Sequence, residues 1–335
     1  EEAIDIDVEE RNASAEYLTN VKLKYDYYPE ASDYGWGKCY ELISSTIGTT
    51  ACPDMFCNFT YDMVAASLRG SFANLRDQDL DEGNFFSFLD EDYDEEVDNR
   101  GYMYEYMTSV TLSKTKMYLL ASDYFLDLIR AFYIVPVNVK LLTDVGMNVT
   151  GDLNEDGKFD IEDFYEEIRR KDWDYKKVAA YSEAIYNNDN KQKAGEDLGD
   201  TLGWALHTGY ISSGLIYSTE SSVISRSEDA NGNPVYDYPA TSPQLYELFD
   251  KCAELVNSTG VYVFSTSANQ PNYDEGYLEY GNGGALAVRK RFCTNKLLFG
   301  GLIMLGGLEY NEYQFLQESS GFGVAPVPFY HEVAE

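Results

Sequence analysis

AFYIVPVNVKLL, residues 131–142, decides how this chain divides. It is rich in β-branched residues, is bounded by polar ones and carries Pro136 inside it, which reads as one strand long enough to pass from one lobe to the next. A boundary there gives a first α/β lobe over residues 1–133 and a second over 134–335. A chain of 335 residues is long enough for two such cores.

Upstream, residues 8–17 space their apolar side chains as a helix does, and VKLKYDY (21–27) alternates as a half-buried strand does. Residues 40–47 read as a helix, YDMV (61–64) as a short buried strand, 80–98 as an acidic loop and MYLLA (117–121) as another strand. Downstream come helices over 164–170 and 175–186, a polar loop over 187–199, and turn chemistry in EDANGN (228–233). A helix over 245–256 points Leu245, Leu248, Phe249, Cys252 and Val256 inward. Residues 285–293 read as a helix ending near Asn295, 296–305 as a buried strand carrying Gly300 and Gly301, and GFGVAPVPFY (321–330) as a closing strand. Strands and helices alternate throughout, which is the pattern of an α/β protein.

Lysine and arginine number 25 against 58 acids, for a net charge of -33. Such a surface repels nucleic-acid phosphates and anionic membranes, so nucleic acid is excluded as a partner. Thirty tyrosines offer flat rings with a hydroxyl, suited to a polar ligand with apolar faces. Five cysteines and two histidines form no zinc pattern. Cys52 and Cys57 are close enough in sequence to bridge across a turn at Pro53, and the odd total leaves at least one thiol unbridged. Sequons stand at Asn12, Asn58, Asn148 and Asn257. No apolar run approaches the ~20 residues of a membrane-spanning helix.

The sharpest local signal is GDLNEDGKFDIED, residues 151–163. Calcium needs six to eight hard oxygens around a tight turn. Asp152, Asn154 and Asp156 stand at alternate positions, Gly157 makes the turn, the Lys158 carbonyl follows, and Asp160 and Asp163 stand at the ninth and twelfth places of an EF-hand loop. Asp163 replaces the usual Glu, as in dockerin-type loops, which this one resembles. One loop leading into one helix implies a structural calcium ion, not a sensor pair. Nucleophile elbows, P-loops, dinucleotide fingerprints and HExxH motifs are absent from the sequence, and any two of its 58 acids could be placed as a glycosidase pair, so carboxylates alone carry no information. Trp36, Trp173 and Trp204 are candidates for core packing or for sugar platforms. Trp204, in LGWALHTGY (202–210), has the strongest functional case because the stretch reads as a strand-to-helix junction.

The order of several segments resembles that of the extracellular solute-binding proteins of bacterial ABC importers, in the sugar- and oligosaccharide-binding branch. These segments are VEERNASAEYLTNVKLKY (8–25), YDMV, MYLLASDY (117–124), VNVKLLTDVG (137–146), FYEEIRRKDWDYKKVAAYSEAI (164–185), ALAVRKRFCTNKLLFGG (285–301) and GFGVAPVPFY. The resemblance implies a two-lobed type II periplasmic-binding fold with a calcium-loop insertion. It also implies a monomer that binds a mono- or oligosaccharide in the cleft between lobes, a lipid anchor at the cell surface and importer membrane subunits as partners. In that family DLNEDGKFD often follows the WDYKK-like helix; here it precedes it. Family members also carry further elements before the first helix and after the last strand, so the first lobe is expected to be incomplete here.

In such a fold the ligand meets the carboxyl ends of strands. The expected contacts are Asp62, Ser122, Asp123 and Tyr124 in the first lobe's set, and Trp204, Tyr210, Gly300 and Gly301 in the second. No catalytic residues are expected. The alternatives are a secreted carbohydrate-active enzyme and a calcium-dependent surface adhesin or scaffold.

Overall fold

A computed structural model of the chain describes residues 2–28, 38–77, 106–107, 116–122, 129–187, 200–207, 225–230, 234–237, 243–264, 283–309, 313, 316–317 and 320–329. Its contacts divide the chain into two units, Glu1–Ala121 and Ser122–Glu335.

In the first unit, helix α1 (Glu2–Thr19) covers the expected helix. Residues 21–27 form no strand; instead Glu16 accepts hydrogen bonds from Lys22 Nζ (2.9 Å) and the Leu23 N–H (2.8 Å), turning the chain back along α1. Alternation makes a strand only where a neighbour supplies the ladder, and Val21 and Leu23 are both exposed. Helix α2 (Cys39–Thr46) and helix α3 (Thr60–Ser67) bury Cys39, Ile43, Met63 and Ala66 together, with Phe56, Phe72 and Leu119 around them. YDMV therefore lies in a helix and not in the expected strand, since four apolar-rich residues are too few for periodicity to choose. MYLLA is also not a strand: Met117 is fixed to the chain at 74–75, its carbonyl accepting from the Leu75 N–H (2.7 Å) and its N–H donating to Asn74 Oδ1 (2.9 Å). Cys52 is a thiol with Sγ 3.5 Å from the Pro53 carbonyl, so the bridge to Cys57 is not formed.

The second unit begins its sheet with strand β1 (Tyr133–Asn138), which gives way directly to helix α4 (Val139–Val149). The run 131–142 is thus not one long strand. Asn138 is the reason: its side chain accepts the Leu141 N–H (3.1 Å) and caps the helix, leaving Leu141, Leu142 and Val145 to share its buried face. Helix α5 (Ile161–Arg169) and helix α6 (Tyr175–Ile185) start on aspartate caps, Asp160 and Asp174. Strand β2 (Leu202–His207) follows, then the antiparallel pair β3 (Ser225–Glu228) and β4 (Pro234–Asp237); the turn expected over 228–233 lies partly outside the described residues. Helix α7 (Pro243–Val256), strand β5 (Val261–Phe264), helix α8 (Gly283–Cys293), strand β6 (Leu297–Phe299), strand β7 (Ile303–Met304), a 3-10 turn over Leu305–Glu309 and strand β8 (Phe322–Ala325) complete the order. Leu248 of α7 points inward as expected, but Phe249 is 59% exposed: it stands on the outer face of the helix.

β2 pairs in parallel with β5 on one side and β6 on the other. β1 runs antiparallel to β6, β7 and β8. The register shows that β6 and β7 lie one after the other along the same edge of β1: Phe299 stands opposite Val137, Ile303 opposite Ile134 and Met304 opposite Tyr133. Between Phe299 and Ile303 this edge advances one residue more than β1 does, which is a β-bulge. The expected strand over 296–305 is therefore a bulged pair of short strands. Helices cover both faces. Val135, Val137, Trp204, Leu206, Leu298 and Phe299 pack with α4, α5, α6 and α7, while Ala205 and Leu297 pack with Val288 and Phe292 of α8. The second unit is thus a mixed α/β sheet between helical layers. Its largest cluster sets Phe299 against Trp173 (5.1 Å between centroids), Tyr181 (5.8 Å, edge-on) and Phe164 (6.3 Å). Removing such a ring costs about 3–5 kcal/mol.

Candidate functional site

Five strands of this sheet, all but β1, point the same way. In sequence they run β2, β5, β6, β7, β8; in space they stand β5, β2, β6 with β7 continuing its edge, then antiparallel β1, then β8. The winding goes to one side of β2 for β5 and to the other for β6, so the order reverses between β2 and β6. Open α/β sheets bind ligands beyond the carboxyl ends of strands at such a reversal.

The β2–β6 ladder pairs Leu202 with Leu297 and Trp204 with Phe299. At the next residue the edge turns away: the Gly300 N–H donates to the Pro136 carbonyl (2.8 Å), and the chain continues along β1 as β7. β2 runs on to His207 with its ladder on the β5 side. The two strands thus separate at their carboxyl ends. Gly301 makes this turn with φ +80°, and a Cβ built there would lie 2.7 Å from the Ala205 carbonyl oxygen, so only glycine lets the bulge approach β2 this closely.

The expected ligand contacts are distributed as follows. Gly300 and Gly301 stand at the separation point, both buried. Trp204 lies in the interior of β2, fully buried, its indole in the aromatic core on the α6 side and its Nε1–H without an acceptor. Asp62 is buried in α3 of the first unit, and Ser122, half-buried, is the first residue of the second. Asp123, Tyr124 and Tyr210 lie outside the described residues, as does Trp36. His207, which sequence reasoning did not select, closes β2 at the same carboxyl end.

The loop 152–163 is built as a succession of Asx turns. Asp152 accepts from the N–H groups of Asp156 (3.2 Å) and Gly157 (2.6 Å), Asn154 accepts from Asp156 (3.0 Å), and Asp156 accepts from Lys158 (3.1 Å). Gly157 has φ +92°, supplying the sharp turn the spacing required. Asp163 is fully buried. Its Oδ1 accepts from Leu153 (2.8 Å) and Asn154 (3.0 Å), and its Oδ2 accepts from Asp160 (2.9 Å) as half of the capping box of α5. Lys158 Nζ lies 2.7 Å from Asp160 Oδ2 and 3.5 Å from Asp156 Oδ2. That ammonium, then the Glu162 N–H, holds the Asp160 carboxyl below the usual carboxylate range. Among the described residues no three His, Cys, Asp or Glu side chains are grouped as a metal site. The oxygens nevertheless have the chemistry calcium requires: all are carboxylate, amide or carbonyl, they lie on one turn, and each carboxylate has lone pairs beyond those used by the backbone.

Behind the loop lies a network with no sequence signature. Glu167 of α5 is buried, its Oε2 accepting from Thr150 Oγ1 (2.7 Å) and Tyr181 OH (2.9 Å) and its Oε1 lying 3.3 Å from Lys177 Nζ. Burial, then the Glu167 carboxylate, pushes the Tyr181 phenol well above its ordinary range, so it donates at every physiological pH. Thr150 precedes the loop and Glu167 follows it, so the network clamps both ends of the loop to α6.

No family model matches the chain, and no curated protein or solved structure matches it.

Proposed function

We propose that this chain is the extracellular solute-binding component of an ABC importer, carrying a mono- or oligosaccharide to membrane subunits and performing no catalysis itself. The observation that carries this reading is the strand order of the second unit. Its parallel strands reverse their winding between β2 and β6, and the bulge at Gly300 and Gly301 opens the ladder at that reversal. Glycine there lets the bulge press against β2 at the point of reversal. The net charge of -33 favours a neutral ligand over an anionic one.

The loop 152–163 takes one calcium ion in a structural role; Asp152, Asn154, Asp156, Asp160 and Asp163 would hold it with the Lys158 carbonyl. Bound calcium would supply positive charge to a turn whose own sequence carries Lys158 as its one cation. The clamp of Thr150, Glu167, Lys177 and Tyr181 would then join the stiffened loop to the helices that cover the sheet.

The test is a thermal-shift screen of sugars, amino acids and short peptides on the whole chain, run beside an assay for reducing ends released from a polysaccharide panel. A rise in Tm with a sugar and no release supports the reading. Release of reducing sugar would make the protein a carbohydrate-active enzyme instead, and no response to any small solute would turn attention to adhesion.

A further inference from the structure

The loop 152–163 sets six acids against one lysine. Its side-chain oxygens accept hydrogen bonds from two kinds of donor. Most are backbone N–H groups, which take one lone pair each and leave a carboxylate its charge. Among the described residues, the one side-chain donor to Asp152, Asn154, Asp156, Asp160 or Asp163 is the Lys158 ammonium, which meets Asp160 Oδ2 at 2.7 Å and Asp156 Oδ2 at 3.5 Å. These acids stand two residues to either side of Lys158, at the fifth and ninth places of the loop, so a single side chain reaches both. The Asp160 carboxylate, then Asp156, holds the Lys158 ammonium above its ordinary range and keeps it charged.

We infer that Lys158 is a tethered counter-ion, which pairs with Asp156 and Asp160 when calcium is scarce and which calcium must displace in order to bind. The assignment rests on the calcium reading of the loop above and names what regulates that site. Two cations do not share the same carboxylate oxygens: calcium takes them at about 2.3–2.6 Å and repels an ammonium held beside it. The backbone N–H bonds need not break, because each carboxylate has lone pairs beyond them. The ammonium has somewhere to go, since the Lys158 side chain is 66% exposed and an exposed ion pair holds it only weakly. Lys158 thus acts on the ion in two opposed ways: its backbone carbonyl is the ligand at the seventh place, while its side chain is the competitor. The competition lowers affinity toward the range of about 10⁻⁴–10⁻³ M found in extracellular calcium modules.

The probe is calcium chloride, titrated calorimetrically into the whole chain after chelation, in about 0.1 M salt. Lys158→Met removes the ammonium but keeps the backbone carbonyl and the length of the side chain, and should tighten calcium binding about fivefold. Lys158→Arg keeps the charge and should bind no tighter than the parent. Lys140→Met removes an exposed cation at the far end of α4, about 15 Å from the loop by the rise of that helix, and should bind as the parent does. A second readout follows the amine in the unaltered chain and depends on no variant. A short pulse of acetylating reagent, read by peptide mass spectrometry, should label Lys158 at least about threefold faster in saturating calcium than in chelator, because release from the carboxylates returns the amine toward its ordinary pKa. Lys140 should label equally in both. If the parent binds calcium and Lys158→Met matches it within about twofold, or if calcium leaves the Lys158 labelling rate unchanged, the displacement is wrong while the calcium reading stands. If the parent gives no heat at millimolar calcium, the calcium reading fails, and this assignment with it.

Discussion

Replacing Gly301 by alanine tests the bulge on which the site depends. Two costs act on the folded state. At φ +80° an L-residue with a Cβ is destabilised by about 1–2 kcal/mol relative to glycine. The Cβ also meets the Ala205 carbonyl oxygen at 2.7 Å and Val288 Cγ1 at 3.2 Å; the first partner is backbone in the middle of the sheet and cannot swing aside. Forcing such a contact open costs about 1–3 kcal/mol. Alanine also stiffens the unfolded chain, offsetting about 0.4–1 kcal/mol. Gly301→Ala should therefore lose about 2–4 kcal/mol. Gly321 separates the two effects: its φ is +75°, yet a Cβ there meets nothing within 4 Å, so Gly321→Ala carries the dihedral cost alone and should lose about 1 kcal/mol. Urea unfolding of the parent and both variants, followed by far-UV circular dichroism and fitted with a common slope, gives the difference directly. Equal losses in the two variants would refute the claim that the bulge is pressed against β2.

Tyr181→Phe removes one of two hydroxyl donors from the buried Glu167 carboxylate and should lower stability by about 1–2 kcal/mol in the same urea assay; an unchanged midpoint would show that Thr150 and Lys177 satisfy the carboxylate without it. Asp160 has a folded pKa below its unfolded value of about 3.9, so its contribution is fully present above that value and is lost as pH falls through the lowered folded pKa. With calcium chelated, Asp160→Asn should be less stable than the parent at pH 7 and equal to it near pH 2, and a difference that persists in acid would contradict the assignment. Calorimetry should find one calcium site per chain, abolished by Asp152→Ala, with a gain of about 2.7 kcal/mol in stability at a hundredfold excess over Kd. Absence of heat at millimolar calcium would dismiss the site.

Much of the second unit was legible because its signals are local. The acids of residues 152–163 announced the turn at Gly157, and the helix expected from 175 does begin at Tyr175, whereas the one expected from 164 begins three residues earlier at Ile161, because Asp160, read only as a calcium ligand, is also its cap. Asn138 offered the same kind of signal inside AFYIVPVNVKLL, but its β-branched neighbours masked it, and a strand and a helix were read as one strand. YDMV and VKLKYDY misled for the opposite reason: each had a plausible local pattern, and the neighbour that decides between strand and helix is not encoded beside it. Trp204 was read near a junction because glycine precedes it, whereas it pairs on both sides in the middle of the sheet. The Glu167 clamp escaped because its four members are divided between two helices and the residue that ends a third.

The position of β1 also sets a timetable. It is the first of the described strands of its unit to leave the ribosome, yet the described partners on its two flanks are residues 299–304 and 322–325, more than 150 residues further on. Helices α4, α5 and α6 can form while synthesis continues, because their caps and turns are local. The strand they are to cover has no described flanking partner until the last of these segments emerges, so the step that completes this sheet closes a loop of more than 150 residues. Pairings so distant in sequence slow folding and leave apolar strand edges waiting in the meantime. A nascent chain stopped before Phe322 should hold β1 open to chaperones, and release from them should follow the arrival of β8.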